Sequence, residues 1–273
     1  MLPRALKMAF WVVYDHLGKL LLANLASSFL CALPVALALA AAPHFSGAAA
    51  LVFFSAAAVL ASMAVFSCAA ALAWMVRGFI ETRDGTVSLF FAGLRKFAPR
   101  GGALGLCYLF AGLCLLSSVW FYASRVGAAH PVIGYGLSAM ALWSGVFLGL
   151  TALAAPSAMV QRDLGPAGAV KLAAVLVLDN PLFFAGLAVC SALMAAAAVL
   201  APVLLVCFFL APLVALHGAA YEMLARGYAA EAAARASGTA APGGRGRARV
   251  DFDDANDDYL NRGLRDLIFP WKG

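Results

Sequence analysis

The chain has 273 residues, 64% of them hydrophobic and only 12% charged, with a formal net charge of +6. A soluble domain carries about 25% charged residues, and its water-facing shell cannot be built from so apolar a composition. This excludes a soluble globular fold. Most basic residues flank apolar runs, so lipid and topology account for the positive charge better than nucleic acid does.

The first element expected is an interfacial helix. Leu2, Leu6, Phe10, Val13 and Leu17 recur at helical spacing, with Arg4, Asp15 and Lys19 elsewhere on the wheel. A signal peptide is the alternative, since Ala38-Leu39-Ala40 resembles a cleavage site, but the lead and the apolar run are both long for one. No Asp, Glu, Lys or Arg lies between Lys19 and Arg77, which leaves room for two helices of about 20 residues each. They are expected near 20–42 and 49–76, with a turn at Pro43–Gly47. Residues 84–98 read as an amphipathic helix lying on the membrane surface, capped by Asp84 or Thr86, with Phe90, Leu94 and Phe97 on one face. A plain basic loop is the rival. Spans three and four follow near 102–123 and 132–156. Residues 167–180 form another surface piece. The uncharged run 180–221 then divides at Pro202 into spans near 182–200 and 203–221.

Charge bias decides the count. Lys and Arg collect on the cytoplasmic side of membrane spans. With six spans, every Lys and Arg except Arg125 falls on one side, together with both ends of the chain, whereas five spans would put the basic tail outside. The expected fold is therefore all-α: a polytopic membrane bundle of six transmembrane helices with cytoplasmic amphipathic helices. Its expected divisions are a transmembrane domain over 1–225, a flexible cytoplasmic linker over 226–250, and an acidic, amphipathic tail over 251–273. In the tail, Leu260, Leu264, Leu267 and Ile268 share a helical face and Trp271 follows. This predicts docking onto the cytoplasmic face or a partner, with a solvated tail as the alternative.

Chemistry is sparse. Polar groups inside spans are the default functional pointers. Here they are chiefly Asn24, Ser27 and Ser28, read as helix–helix glue or, failing that, as ligand contacts. Gly145-x-x-x-Gly149 would permit close helix approach, and Pro34, Pro156 and Pro212 would kink their helices. His217 lies near the end of span six and reads as interfacial. The six cysteines all sit in apolar runs and read as packing residues. There is no phosphate-binding loop, no zinc-hydrolase or serine-hydrolase motif, and no metal-ligand spacing among the four histidines. No catalytic residue, cofactor site or metal site is expected.

Three segments carry a family resemblance: the basic N-terminal helix running into LLLANL (20–25), GTVSLFFAGLRKF (85–97) and KLAAVLVLDNPLFF (171–184). The pattern resembles the YesL-like family of bacterial membrane proteins over roughly residues 5–225. The resemblance implies a small helical membrane protein linked with carbohydrate uptake, and no reaction. Two functions are then expected: a non-enzymatic accessory or scaffold component of a membrane complex, with a transporter subunit as partner, or a permease for a small neutral or lipid-like solute.

Overall fold

The structure is a computed structural model that describes residues 1–83, 85–237, 257, 259–262 and 266. Among these there is no strand, and six helical segments are long and apolar enough to cross a membrane. In chain order the helices are α1 (Leu2–Asp15), α2 (Leu17–Ala41), α3 (Gly47–Thr82), α4 (Ser88–Phe121), α5 (Gly127–Ala129), α6 (Pro131–Gln161), α7 (Pro166–Asp179), α8 (Pro181–Leu200), α9 (Pro202–Phe208) and α10 (Leu210–Ala236). The spans are α2, α3, α4 with its continuation to Ala129, α6, α8, and a last one beginning at Val206. Among the described residues every Lys and Arg except Arg125 lies at one end of the bundle or in the segments attached to it, hereafter the charged end.

The last span is the axis of the molecule. Its most apolar stretch is 61% buried, against 6–22% for the other five. Helices α1, α2, α3 and α6 all pack on α10. In the outer five most of the corresponding stretch is not buried within the protein, a surface that only a lipid or protein environment can solvate.

Local signals explain most boundaries. Pro131, Pro166, Pro181 and Pro202 each open a helix, where a missing N–H costs nothing. The connection between α6 and α7 turns at Asp163, whose φ of 50° is left-handed. Its carboxylate is held by Arg100 at 2.7 Å and Lys96 at 3.5 Å. The Arg100 hydrogen bond sets its pKa below the usual carboxylate range. Arg77 donates to the carbonyls of Val160 and Gln161 at 3.2 and 3.4 Å, so a cation closes the carbonyl end of α6.

Several expectations are corrected in detail. The surface piece expected over 84–98 is not separate: α4 runs from Ser88 through Pro99 into the third span without a break. Its face is as expected, with Phe90 and Phe97 fully buried. Residues 226–236, expected as linker, are instead helical, because α10 runs to Ala236. Alanine dominates 229–236 and propagates the helix; residues 238–250 lie outside the described set. Of the expected stripe, Leu6 and Phe10 in α1 and Leu17 at the start of α2 are exposed, while Ala5, Met8, Trp11 and Val12 of α1 are buried. That helix is apolar on two adjacent faces. The stripe seen in the sequence is the outward one, and the core face escapes notice because Ala and Met are weak markers of periodicity.

Close helix approach occurs between α3 and α4, not at Gly145 and Gly149. A Cβ at either of those two positions would meet nothing within 4 Å. A Cβ on Gly101 would lie 2.7 Å from Ser67 Cα, and one on Gly105 would lie 2.5 Å from the Ser62 carbonyl oxygen. Backbones that near permit side chain to backbone bonds across the seam: Ser67 Oγ donates to Ala98 O at 2.9 Å, and Ser62 Oγ to Gly105 O at 3.0 Å. Gly105→Ala should therefore destabilise the protein. The helix-propensity gain of about 0.5–1 kcal/mol is outweighed by an overpacking cost of about 1–3 kcal/mol. Gly112 meets nothing within 4 Å, so Gly112→Ala should be neutral or stabilising. Melting temperatures of the two variants in one detergent check the opposite signs.

Candidate functional site

Two constructions concentrate the polar chemistry. The first lies inside the last span. Helix α9 ends at Phe208 and α10 starts at Leu210, so the backbone is interrupted at Phe209. Pro212, in the first turn of α10, cannot donate to a carbonyl of the preceding turn. Broken backbone in a membrane needs partners from a neighbouring helix. Asn24 on α2 supplies them from a fully buried position. Its Oδ1 accepts from Ala211 N–H at 2.8 Å, and its Nδ2 donates to Val206 O at 2.8 Å. Ser28, one turn on, also donates to Val206 O, at 2.7 Å. Ser27 is buried and donates to its own helix at Ala23 O. The three polar residues expected in span one are thus together in sequence but differ in use: Asn24 and Ser28 mend the break, and Ser27 does not. Pro34 and Pro156 sit within continuous helices.

An open groove of about 540 Å3 runs along α2 beside this break. Ser28 and Cys31 reach it, but Val35, Leu39, Val65 and Phe209 make its walls apolar. It offers no polar lining of the kind a permease for a hydrophilic solute requires. Among the described residues no group of three or more His, Cys, Asp or Glu side chains could hold a metal ion. All six thiols are free.

The second construction lies at the charged end, where residues 257–262 seat in a socket made by α1, the end of α3 and α10. Asp257 shapes the segment: its Oδ1 accepts from the N–H groups of Tyr259 and Leu260 at 3.0 and 3.1 Å. Its other oxygen pairs with Arg226, which also holds Glu222 at 2.9 Å. Burial pushes the Asp257 carboxyl up, but the Arg226 bond and the two backbone N–H groups outweigh it, so its pKa lies below the ordinary range. Tyr259 and Leu260 are 3% and 4% exposed, as core residues are. The Tyr259 hydroxyl donates to Phe79 O at 3.0 Å, and Arg83 lies 4.6 Å from the centre of its ring. Burial raises the pKa of that phenol. Lys7 donates to Leu260 O. Arg262 reaches both oxygens of Asp15, at 2.7 and 2.6 Å, and lies 5.2 Å from the Trp11 ring. Phe79 itself is fully buried and stacks on His16 at 3.9 Å.

Of the residues expected on the docking face, Leu260 is buried in this socket. Leu264, Leu267, Ile268 and Trp271 lie outside the described residues. Sequence reasoning missed Tyr259, Asp257 and Arg262 as anchors. An Asp two residues before a Tyr is a local turn signal that was available; their partners on α1, α3 and α10 had no sequence signal. His217 is likewise not interfacial: it is 5% exposed, inside the bundle, with Nε2 3.1 Å from Ser191 Oγ. Compared with known proteins, the chain matches no family model, no curated protein and no solved structure.

Two outcomes follow from this geometry. Asn24→Ala leaves Ala211 N–H unpaired and should cost about 1–3 kcal/mol. Ser28→Ala should cost less, because Asn24 still holds Val206 O. The pair should be non-additive when unfolding is followed in mixed micelles. For the tail, Leu260→Ala should cost about 2–5 kcal/mol of docking, read as faster proteolysis after residue 237. Because the Asp257 pKa is depressed on docking, its stabilisation is full above the ordinary carboxylate pKa. It is lost as pH falls through the docked value. Docking measured by proteolysis should be constant from about pH 8 to 5, weaken below that, and lose this acid response in Asp257→Asn.

Proposed function

We propose that the chain is a non-enzymatic accessory or scaffold protein of the bacterial cytoplasmic membrane, with both ends cytoplasmic and the charged end serving as a docking platform. The observation that carries this reading is the socket. Six side chains and one backbone carbonyl, from α1, the end of α3, α10 and the tail, are spent on holding a peptide segment rather than on a reacting centre. They are Lys7, Asp15, Phe79, Arg83, Arg226, Asp257 and Arg262, counting Phe79 through its carbonyl. Recognition of a turn by cations, a buried tyrosine and a backbone acceptor is a binding device. The one-sided distribution of Lys and Arg supports a cytoplasmic position for it.

The membrane part supports the same reading. Five spans present mostly outward-facing apolar side chains, including Phe29, Phe110, Trp120 and Trp143. Such faces suit packing beside the subunits of another membrane protein. The family resemblance points to carbohydrate uptake as the setting and to a sugar-transporter subunit as the partner. The permease alternative draws on the grooved α2 face, whose apolar walls restrict it to lipid-like solutes.

The test is purification from native membranes in mild detergent with identification of what stays bound. A transporter membrane subunit in stoichiometric yield, altered by the charge reversal Arg262→Glu, is the expected result. Isolation of the chain alone, together with solute uptake by vesicles containing only this protein, would favour the permease and overturn the scaffold. A reporter fused after Gly273 should be active in the cytoplasm; periplasmic activity would invert the platform.

A further inference from the structure

Helices α2 and α3 pack against each other, and one contact marks their antiparallel register: His16, at the head of α2, stacks on Phe79 near the end of α3. Eleven residues on from His16 is Ser27, and eleven back from Phe79 is Cys68. Eleven residues make about three full turns of α-helix, so both return to the facing sides of their helices. Cys31 lies one turn beyond Ser27 on the same face of α2. The side chains meet as this register requires: Cys31 hydrogen-bonds to Cys68, and Cys68 to Ser27. The Ser27 hydroxyl donates to Ala23 O at 2.8 Å, so its hydrogen is committed and its oxygen accepts from Cys68. Cys68 then accepts from Cys31. The two thiols differ in access. Cys68 is buried, at 1% exposed, whereas Cys31 is half-buried and forms part of the wall of the 540 Å3 groove along α2.

We propose that Cys31 and Cys68 form a dithiol site that a lipid-soluble quinone, entering the groove from the bilayer, oxidises to a disulfide joining α2 to α3. In this step two S–H bonds break and one S–S bond forms. The two electrons and two protons pass to the quinone, whose carbonyls become the two hydroxyls of a hydroquinone. The groove suits that oxidant. Val35, Leu39 and Val206 on its walls are exposed on the outer surface of the bundle, so it opens to lipid. Cys31 sits near the middle of the span Leu17–His44, where hydrophilic oxidants do not partition. A void of about 150 Å3 already accommodates benzene, so a groove of about 540 Å3 holds a quinone ring with the start of its tail. Cys31 meets the oxidant, and Cys68 behind it is the resolving thiol. The product is uncharged and stays compatible with hydrocarbon. It ties to α3 the helix that carries Asn24, so the oxidised chain holds the broken span more rigidly than the reduced one.

The test uses the full chain in lipid nanodiscs under nitrogen, with a decyl benzoquinone bearing no free ring position as the probe, so that stable thioethers cannot form. Thiols are counted after denaturation with a maleimide mass tag, and hydroquinone is followed by absorbance. The reduced chain carries six free thiols. The probe should lower the count from six to four and yield one hydroquinone per chain, and dithiothreitol should restore six. Proteolysis should release a peptide in which Cys31 is joined to Cys68. Cys31→Ser and Cys68→Ser should each start at five thiols and stay there. Cys114→Ser, on an exposed position of α4, should fall from five to three. Retention of six thiols in the presence of the probe overturns the proposal. So does a disulfide mapped to any other pair, or an undiminished loss in Cys68→Ser. Should the serine variants fail to fold, the peptide map and the hydroquinone yield of the parent chain decide the matter alone.

Discussion

Hydrocarbon offers no hydrogen bonds, so every backbone group within the spans must find its partner inside the protein. That constraint bears hardest on the helix at the centre of this bundle, because it is the one whose backbone is interrupted. At the break at Phe209, Asn24 supplies an amide, a group that can donate and accept at once. The arrangement fixes α2 beside the last span in one register. With α2 set, α3 follows across a short turn, and the glycine face of α4 closes on α3 at backbone distance.

The two ends of the bundle solve different problems. Away from the charges, the helices expose large apolar side chains such as Phe29, Trp120 and Trp143. At the charged end, arginines terminate α6, hold the α6–α7 turn and grip the segment 257–262. Guanidinium groups suit all three tasks because they present several donors in a plane and stack on rings without losing their charge. Polar energy is concentrated where water is near enough to share its cost, and the interior is left to small residues and methyl groups.

Much of this was legible in the sequence, and the failures have physical causes. Six spans, their turns and the single-sided charge follow from length, hydropathy and the Lys and Arg positions, because membrane thickness and the cost of ion transfer admit few solutions. Asn24 stood out because an amide in an apolar run must be satisfied. The glycine pattern misled: Gly145 and Gly149 have the right spacing, yet Gly101 and Gly105 make the contact. Spacing states that a close approach is permitted; only the neighbouring backbone decides where it happens. The surface piece expected over 84–98 has no end there, because α4 runs on through Pro99 while packed on α3. Tyr259 was invisible as an anchor because its acceptor, the carbonyl of Phe79, belongs to backbone 180 residues away.

The socket for residues 257–262 has a bearing on biogenesis. Its walls come from α1, α3 and α10, and translation delivers them in that order, with the peptide last. No partial chain can close it. A molecule in which any one span has inserted wrongly would leave Trp11, Phe79 and a cluster of cations uncovered at the charged end, while a correct one conceals them beneath residues 259–262. The latch therefore certifies a finished bundle more than it drives one, and it does so at the surface that proteases and chaperones can inspect.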